Sequence, residues 1–148
     1  MRSATILRKC RHRATATVEF ALLAPILAAI LMGSIELARA VMVKGILTDA
    51  ARDGARIGAL RVKGNSIISN TNVTTDINNI LTDNGIDSTK ANIVIKVNGV
   101  VADVNTANAG DQISVQVWMY YSDAGWIRLG FLTSTSIASE FLVMMKEG

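Results

Sequence analysis

The feature that most constrains this chain is a run of sixteen residues without a charge, Phe20 to Ile35 (FALLAPILAAILMGSI), entered from a strongly basic side. As a helix rising 1.5 Å per residue it would span roughly 24 Å, a little short of the ~30 Å hydrocarbon core of a bilayer. Extension to Val43 supplies the missing length and takes in Glu36 and Arg39, which lie three apart on one helical face and can pair while reaching toward headgroups. Ahead of the run, Arg2, Arg8, Lys9, Arg11 and Arg13 precede the first acidic residue, Glu19. The net charge of +3 is therefore uneven, with −2 left for everything from residue 14 onward. A basic cluster abutting an apolar run marks the cytoplasmic side of a membrane segment. The pI of 9.3 is explained by that cluster, and nucleic acid is not an expected partner. In 148 residues there is room for one compact domain plus one long element.

Two residues of the apolar helix stand out. Pro25 lacks a backbone donor and its ring crowds the carbonyl of Ala21, so a kink is expected there, and bilayer helices tolerate one. Glu19 sits at the lip of the run, where a carboxylate is costly unless it stays near headgroups or meets a cation. It is a functional candidate, with a headgroup-level side chain as the plain alternative. Farther along, Ala50, Gly54 and Gly58 form one i, i+4 row and Ala51, Ala55 and Ala59 the next. Such rows let another element approach closely. Asp49, Arg52, Asp53, Arg56 and Arg61 are interleaved with them, which makes this stretch amphipathic and places it outside the bilayer. Its packing partner is either the protein's own sheet or a neighbouring subunit.

After Lys63 the composition turns polar, and Asn65 to Asn72 reads as a linker. Val73, Ile77, Ile80 and Leu81 fall at helical spacing, with Thr71 or Asn72 as the expected cap and Asn84-Gly85 as terminator. Ile93 to Val97 and Val100 to Val104 flank Asn98-Gly99, the strongest short hairpin signal. Gln112 to Tyr121 alternates, with Ile113, Val115, Val117, Met119 and Tyr121 on one face and Trp118 and Tyr120 on the other, a face expected to be partly covered. A turn at Ser122 to Gly125, a Trp126 to Leu132 connection and a last apolar strand over Thr135 to Met145 complete a three- or four-stranded antiparallel sheet.

No catalytic constellation is visible. His12 is the sole histidine and Cys10 the sole cysteine, and both lie in the basic leader. No intrachain disulfide can form, and Arg8 and Lys9 occupy positions that a lipoprotein signal needs small or apolar. Gly54 and Gly58 lack the strand and spacing of a nucleotide fingerprint. Asp83 and Asp87, around Asn84-Gly85, fall short of a calcium loop and read as turn residues. The expectation is a non-enzyme with no cofactor, no metal and no small-molecule substrate.

The combination of basic leader, VEFALLAP, IELARA and ARDGAR, over Arg13 to Leu60, resembles the N-terminal region of TadE-like proteins, pseudopilins or minor pilins of the tight-adherence (Flp, type IVb) pilus system. Over the rest of the chain the likeness is looser, a closing strand with a late glutamate. The resemblance implies a prepilin peptidase acting four residues ahead of the glutamate. Here that makes Ala14 the residue before the cut, where the family pattern has glycine, Thr15 the new N-terminus and Glu19 the fifth mature residue. It also implies the inner membrane and other pilins and pseudopilins as partners. A protonated amine at Thr15 would lie about one helical turn from the Glu19 carboxylate, and pairing would relieve both charges in a low-dielectric setting.

The expected fold class is therefore α+β: a long N-terminal transmembrane and amphipathic helix packed with a small antiparallel sheet, as in pilins. Residues 1–14 form the leader to be removed, 15–62 the helix with its membrane segment at about 20–43, and 63–148 an extracytoplasmic head. A competing reading is a binding domain, secreted or membrane-anchored, with a signal peptide cut after Ala40, because Ala38-Arg39-Ala40 follows an apolar region.

Overall fold

The computed structural model describes residues 4–60, 68–124 and 135–147, with side chains from Thr15 onward. A single helix, α1, runs from Ala4 to Ala59. The chain divides into two compact units, Met1–Ala38 and Arg39–Gly148. In the second, α1 supplies Val43, Leu47, Ala50, Ala51 and Ala55 to the core, all at helical spacing on one face. The carbonyls at its end, which no intrahelical donor can reach, are taken by the C-terminal segment. Glu147 N donates to Ala59 O at 2.9 Å and Lys146 Nζ to Gly58 O at 3.0 Å. Partial burial holds the Lys146 ammonium below its ordinary pKa.

The second helix, α2, spans Asn70–Asp83 and buries Val73, Ile77 and Leu81. Its cap is Ser69, ahead of the expected Thr71 or Asn72. Asn72 instead sits inside the first turn and reaches back, its Oδ1 accepting from Ser69 N at 3.0 Å while Asn72 N donates to Ser69 O at 3.0 Å. The bond from the cap amide to the side chain of the third helical residue is one half of a capping box, made here by Asn in place of Glu or Gln. The other end stops at Asn84-Gly85 as expected. Gly85 adopts φ +71°, Ile86 N donates to Leu81 O and Gly85 N to Thr82 O, both at 2.9 Å, which completes a Schellman motif.

Strands β1 (Asn92–Val97) and β2 (Val100–Val101) form the hairpin around Asn98 (φ 49°) and Gly99 (φ 82°), the two left-handed residues that a type I′ turn requires. The second strand is shorter than the expected Val100 to Val104. Asp103 stops it by accepting from Asn105 N and from Asn70 N, both at 3.0 Å. The backbone then turns through Val104–Thr106 and drives Val104 fully into the core.

The centre of the sheet is β3, Gln112–Tyr120, with β1 antiparallel on one side. Ile113, Val115, Val117 and Met119 are fully buried, as the alternation predicts. Tyr121 is not on that face, because the strand ends at Tyr120 and Tyr121–Ala124 forms a helical turn, α3. On the outer face Trp118 is half-buried and Tyr120 is 44% exposed, their rings meeting edge to face at 5.4 Å.

The expected last strand divides into β4 (Ser136–Ala138) and β5 (Leu142–Met145), both antiparallel to β3 on its free side. Between them Ser139, Glu140 and Phe141 lie opposite only Gln116 and Val117, one residue too many for a regular ladder. This is a β-bulge. It shifts the side-chain parity, so that Ile137 before it and Leu142 and Met144 after it all pack on the core. Ser139 takes up the disrupted ladder: its N donates to Val117 O at 2.9 Å and its Oγ accepts from Val117 N at 3.0 Å. The five-stranded sheet, with α1 and α2 contributing to its core, is an α+β arrangement of the pilin-like kind expected. The linker residues 65–67, the Trp126 to Leu132 connection and the leader side chains lie outside the described residues.

Candidate functional site

The apolar part of α1 is exposed along its whole length. Val18, Phe20, Leu22, Leu23, Ile26, Leu27, Ile30, Leu31, Met32 and Ile35 all keep more than half of their surface uncovered. At about 100° per residue these side chains point in every direction around the helix axis. One protein groove could cover only one stripe of such a helix, whereas lipid covers all of it. Thr15–Ala59 is long and apolar enough to cross a membrane, so this helix is compatible with a single-pass anchor.

The residues read from the sequence as processing and kink positions all lie on this helix. Ala14 is within α1, its side chain outside the described residues. Thr15 and Glu19 are exposed and four apart, one turn of the same face. Pro25 is inside α1 and exposed. At the expected outer boundary Glu36 is buried, and the Arg39 Nε donates to Ala124 O at 2.6 Å, so neither side chain simply reaches for headgroups.

Gly54 and Gly58 belong to the second unit. A Cβ built on Gly54 would lie 2.6 Å from Ile77 Cδ1 and 2.8 Å from Ile77 Cγ1, and one on Gly58 would lie 3.2 Å from Ile113 Cγ2. The small-residue row of Ala50, Gly54 and Gly58 is thus where α2 and the sheet come close to α1 within one chain.

A family model described as TadE-like protein matches residues 14–56. The N-terminal helix is similar to that family. The match begins at the residue before the expected cut and covers the exposed apolar segment together with most of the amphipathic half. No curated protein and no solved structure matches the chain.

Four residues of the head, Asn70, Asp111, Lys146 and Ser139, carry weight that spacing alone does not reveal. Asn70 bridges α2 to the turn after the hairpin, with its N bonded to Asp103 and its Nδ2 donating to Ala102 O at 3.1 Å. Asp111 accepts from Asn98 Nδ2 at 2.8 Å and Asn108 N at 2.7 Å, and these bonds, the Asn98 one first, hold its carboxyl below the ordinary value. Asp87 is held low in the same way by the Thr89 hydroxyl and then the Thr89 amide, which is the turn role expected of it. Lys146 and Ser139 complete the set. Among the described residues no group of three His, Cys, Asp or Glu side chains is gathered that could hold a metal.

Proposed function

We propose that this chain is a TadE-like pseudopilin, or minor pilin, that acts in the assembly of a tight-adherence (Flp) pilus and has no enzymatic activity. A prepilin peptidase on the inner face of the inner membrane cuts between Ala14 and Thr15, the apolar helix remains as the anchor, and the head lies outside the cytoplasm. The observation that carries this reading is the coincidence of three boundaries. The last basic residue of the leader is Arg13, the TadE-like match starts at residue 14 and the uncharged apolar run opens at Phe20.

The secretion alternative places the cut after Ala40. Two observations weigh against it. Arg39, which would leave with the signal peptide, donates to Ala124 O of the head. Val43 and Leu47, only a few residues past that cut, are buried in the head's core as part of the same continuous helix. A signal peptide also has no use for Glu19 at the entrance to its apolar core.

Intact-mass measurement of protein from the membrane fraction, with and without a co-expressed prepilin peptidase, decides between these readings. The expected mature chain begins at Thr15 only when the peptidase is present. A chain beginning at Val41 overturns the proposal, and one that still begins at Met1 with the peptidase present removes the processing step from it.

A further inference from the structure

Beyond the buried face of α1, the exposed face of its second half carries an ordered charge pattern. Asp49, Arg52, Asp53 and Arg56 are all exposed. Asp49 and Asp53 are four residues apart, and so are Arg52 and Arg56, so each pair forms a row about 6 Å long along the axis. The basic row lies about 60° around the helix from the acidic one, at about 100° per residue. Within one chain Arg52 meets Asp49 only at 3.5 Å, with 59% of the arginine side chain and 71% of the aspartate side chain still exposed. A surface pair of that kind leaves both rows available to a partner.

We propose that these rows are a self-complementary contact, the basic row of one copy of this chain meeting the acidic row of the next. The proposal rests on the reading of the chain as a membrane-anchored assembly protein, because copies that enter one membrane in the same direction present parallel helices. Two parallel rows of equal spacing match when one copy is displaced by three residues, about 4.5 Å along the axis. Arg52 then faces Asp49 and Arg56 faces Asp53. At no other displacement do both pairs come level. The contact is heterologous, since each copy offers a basic side to one neighbour and an acidic side to another. A heterologous contact with a displacement along its axis cannot close into a ring and repeats as a helical array. Among the described residues, a Cβ on Gly45, one turn before Asp49, would meet nothing within 4 Å.

The test uses two differently tagged full-length copies co-expressed in membranes and co-purified in detergent. An all-acidic variant, Arg52→Asp with Arg56→Asp, and an all-basic one, Asp49→Arg with Asp53→Arg, should each capture their own second copy about tenfold less than the wild-type chain does, because like charges now face one another. Co-expressed together, the two variants should recover wild-type capture. A second measurement avoids charge reversal. With Cys10→Ser in both copies, Asp49→Cys in one and Arg52→Cys in the other should form a disulfide-linked pair, and two Asp49→Cys copies should not. Unchanged self-capture by either reversed variant, no recovery in the mixture, or equal cross-linking of all cysteine combinations overturns the proposal. Intact mass and membrane retention read on the same samples show separately whether the pilin reading holds. A chain that starts at Thr15 and stays in the membrane, yet is indifferent to charge reversal, refutes the contact alone.

Discussion

Alanine placed at two glycines of α1 should act with opposite sign. At Gly45 a Cβ meets nothing within 4 Å, so Gly45→Ala should give only the helix-propensity gain, about 1 kcal/mol. At Gly54 the same gain is opposed by overpacking. The new methyl would sit 2.6 Å and 2.8 Å from two carbons of Ile77 and 3.3 Å from Val73 Cγ1. Both neighbours are fully buried and cannot swing into solvent. Inserting one carbon into such a core costs roughly 1–3 kcal/mol, so Gly54→Ala should range from neutral to about 2 kcal/mol destabilising. It should stand roughly 1–3 kcal/mol below Gly45→Ala. For a unit the size of the head that gap corresponds to at least ~4 °C in melting temperature, readable by circular dichroism of the full chain in detergent. Adding Ile77→Val to Gly54→Ala removes the nearer of the two carbons, so the pair should be less destabilised than the sum of the single changes. If Gly54→Ala melts as high as Gly45→Ala, or if the cycle shows no coupling, the close approach of α2 to α1 at Gly54 is not what holds these helices together.

Three further outcomes follow from the site and the head. Ser139→Ala removes the buried acceptor of Val117 N in the bulge and should cost roughly 1–3 kcal/mol, seen as a lower melting temperature with hydrogen exchange accelerated at Val117. Asp111, whose folded pKa lies below the ordinary 3.8, contributes stability that is present above that value and lost as pH falls through the folded pKa. The melting-temperature difference between wild type and Asp111→Asn should therefore be largest near neutrality and shrink below about pH 3.8. Glu19→Ala should leave the chain in the membrane, since removing a carboxylate eases insertion, while reducing its co-purification with pilus components. Wild-type co-purification together with normal piliation would make Glu19 a headgroup-level side chain.

Much of this architecture was legible because it rests on periodicity. The sixteen-residue uncharged run, the alternation from Gln112 to Met119 and the Asn98-Gly99 turn each express one dominant physical constraint, and each corresponds to an element in the structure. The TadE-like stretch was legible from its motifs, and the family match covers nearly the same residues. The places where sequence reading went astray are those where a polar side chain competes with the backbone pattern. Val100 to Val104 alternates well enough for a strand, but the Asp103 carboxylate binds two amides and turns the chain. Thr71 and Asn72 look like caps, yet Asn72 serves Ser69 from inside the helix. The run from Thr135 to Met145 has the composition of a single strand, and no spacing rule marks Ser139 as the residue that resets its parity.

The charge rows of α1 show how a single helix can serve three environments in succession. Its first part, exposed and apolar on all sides, suits lipid. From Val43 to Ala59 one face is filled by Val, Leu, Ala and Gly, whose small size brings α2 and β3 close enough to form a core. That core fixes which way the opposite face points. Asp49, Arg52, Asp53 and Arg56 fall on it by the same 3.6-residue period that buries Ala50, Ala51 and Ala55. Turning the helix by one residue position in either direction would bury a charged row and expose one of the two small-residue rows. The packing inside the head thereby sets the orientation of the surface through which copies would meet. A change that loosens the core at Gly54 should weaken self-capture even though it touches no charged residue.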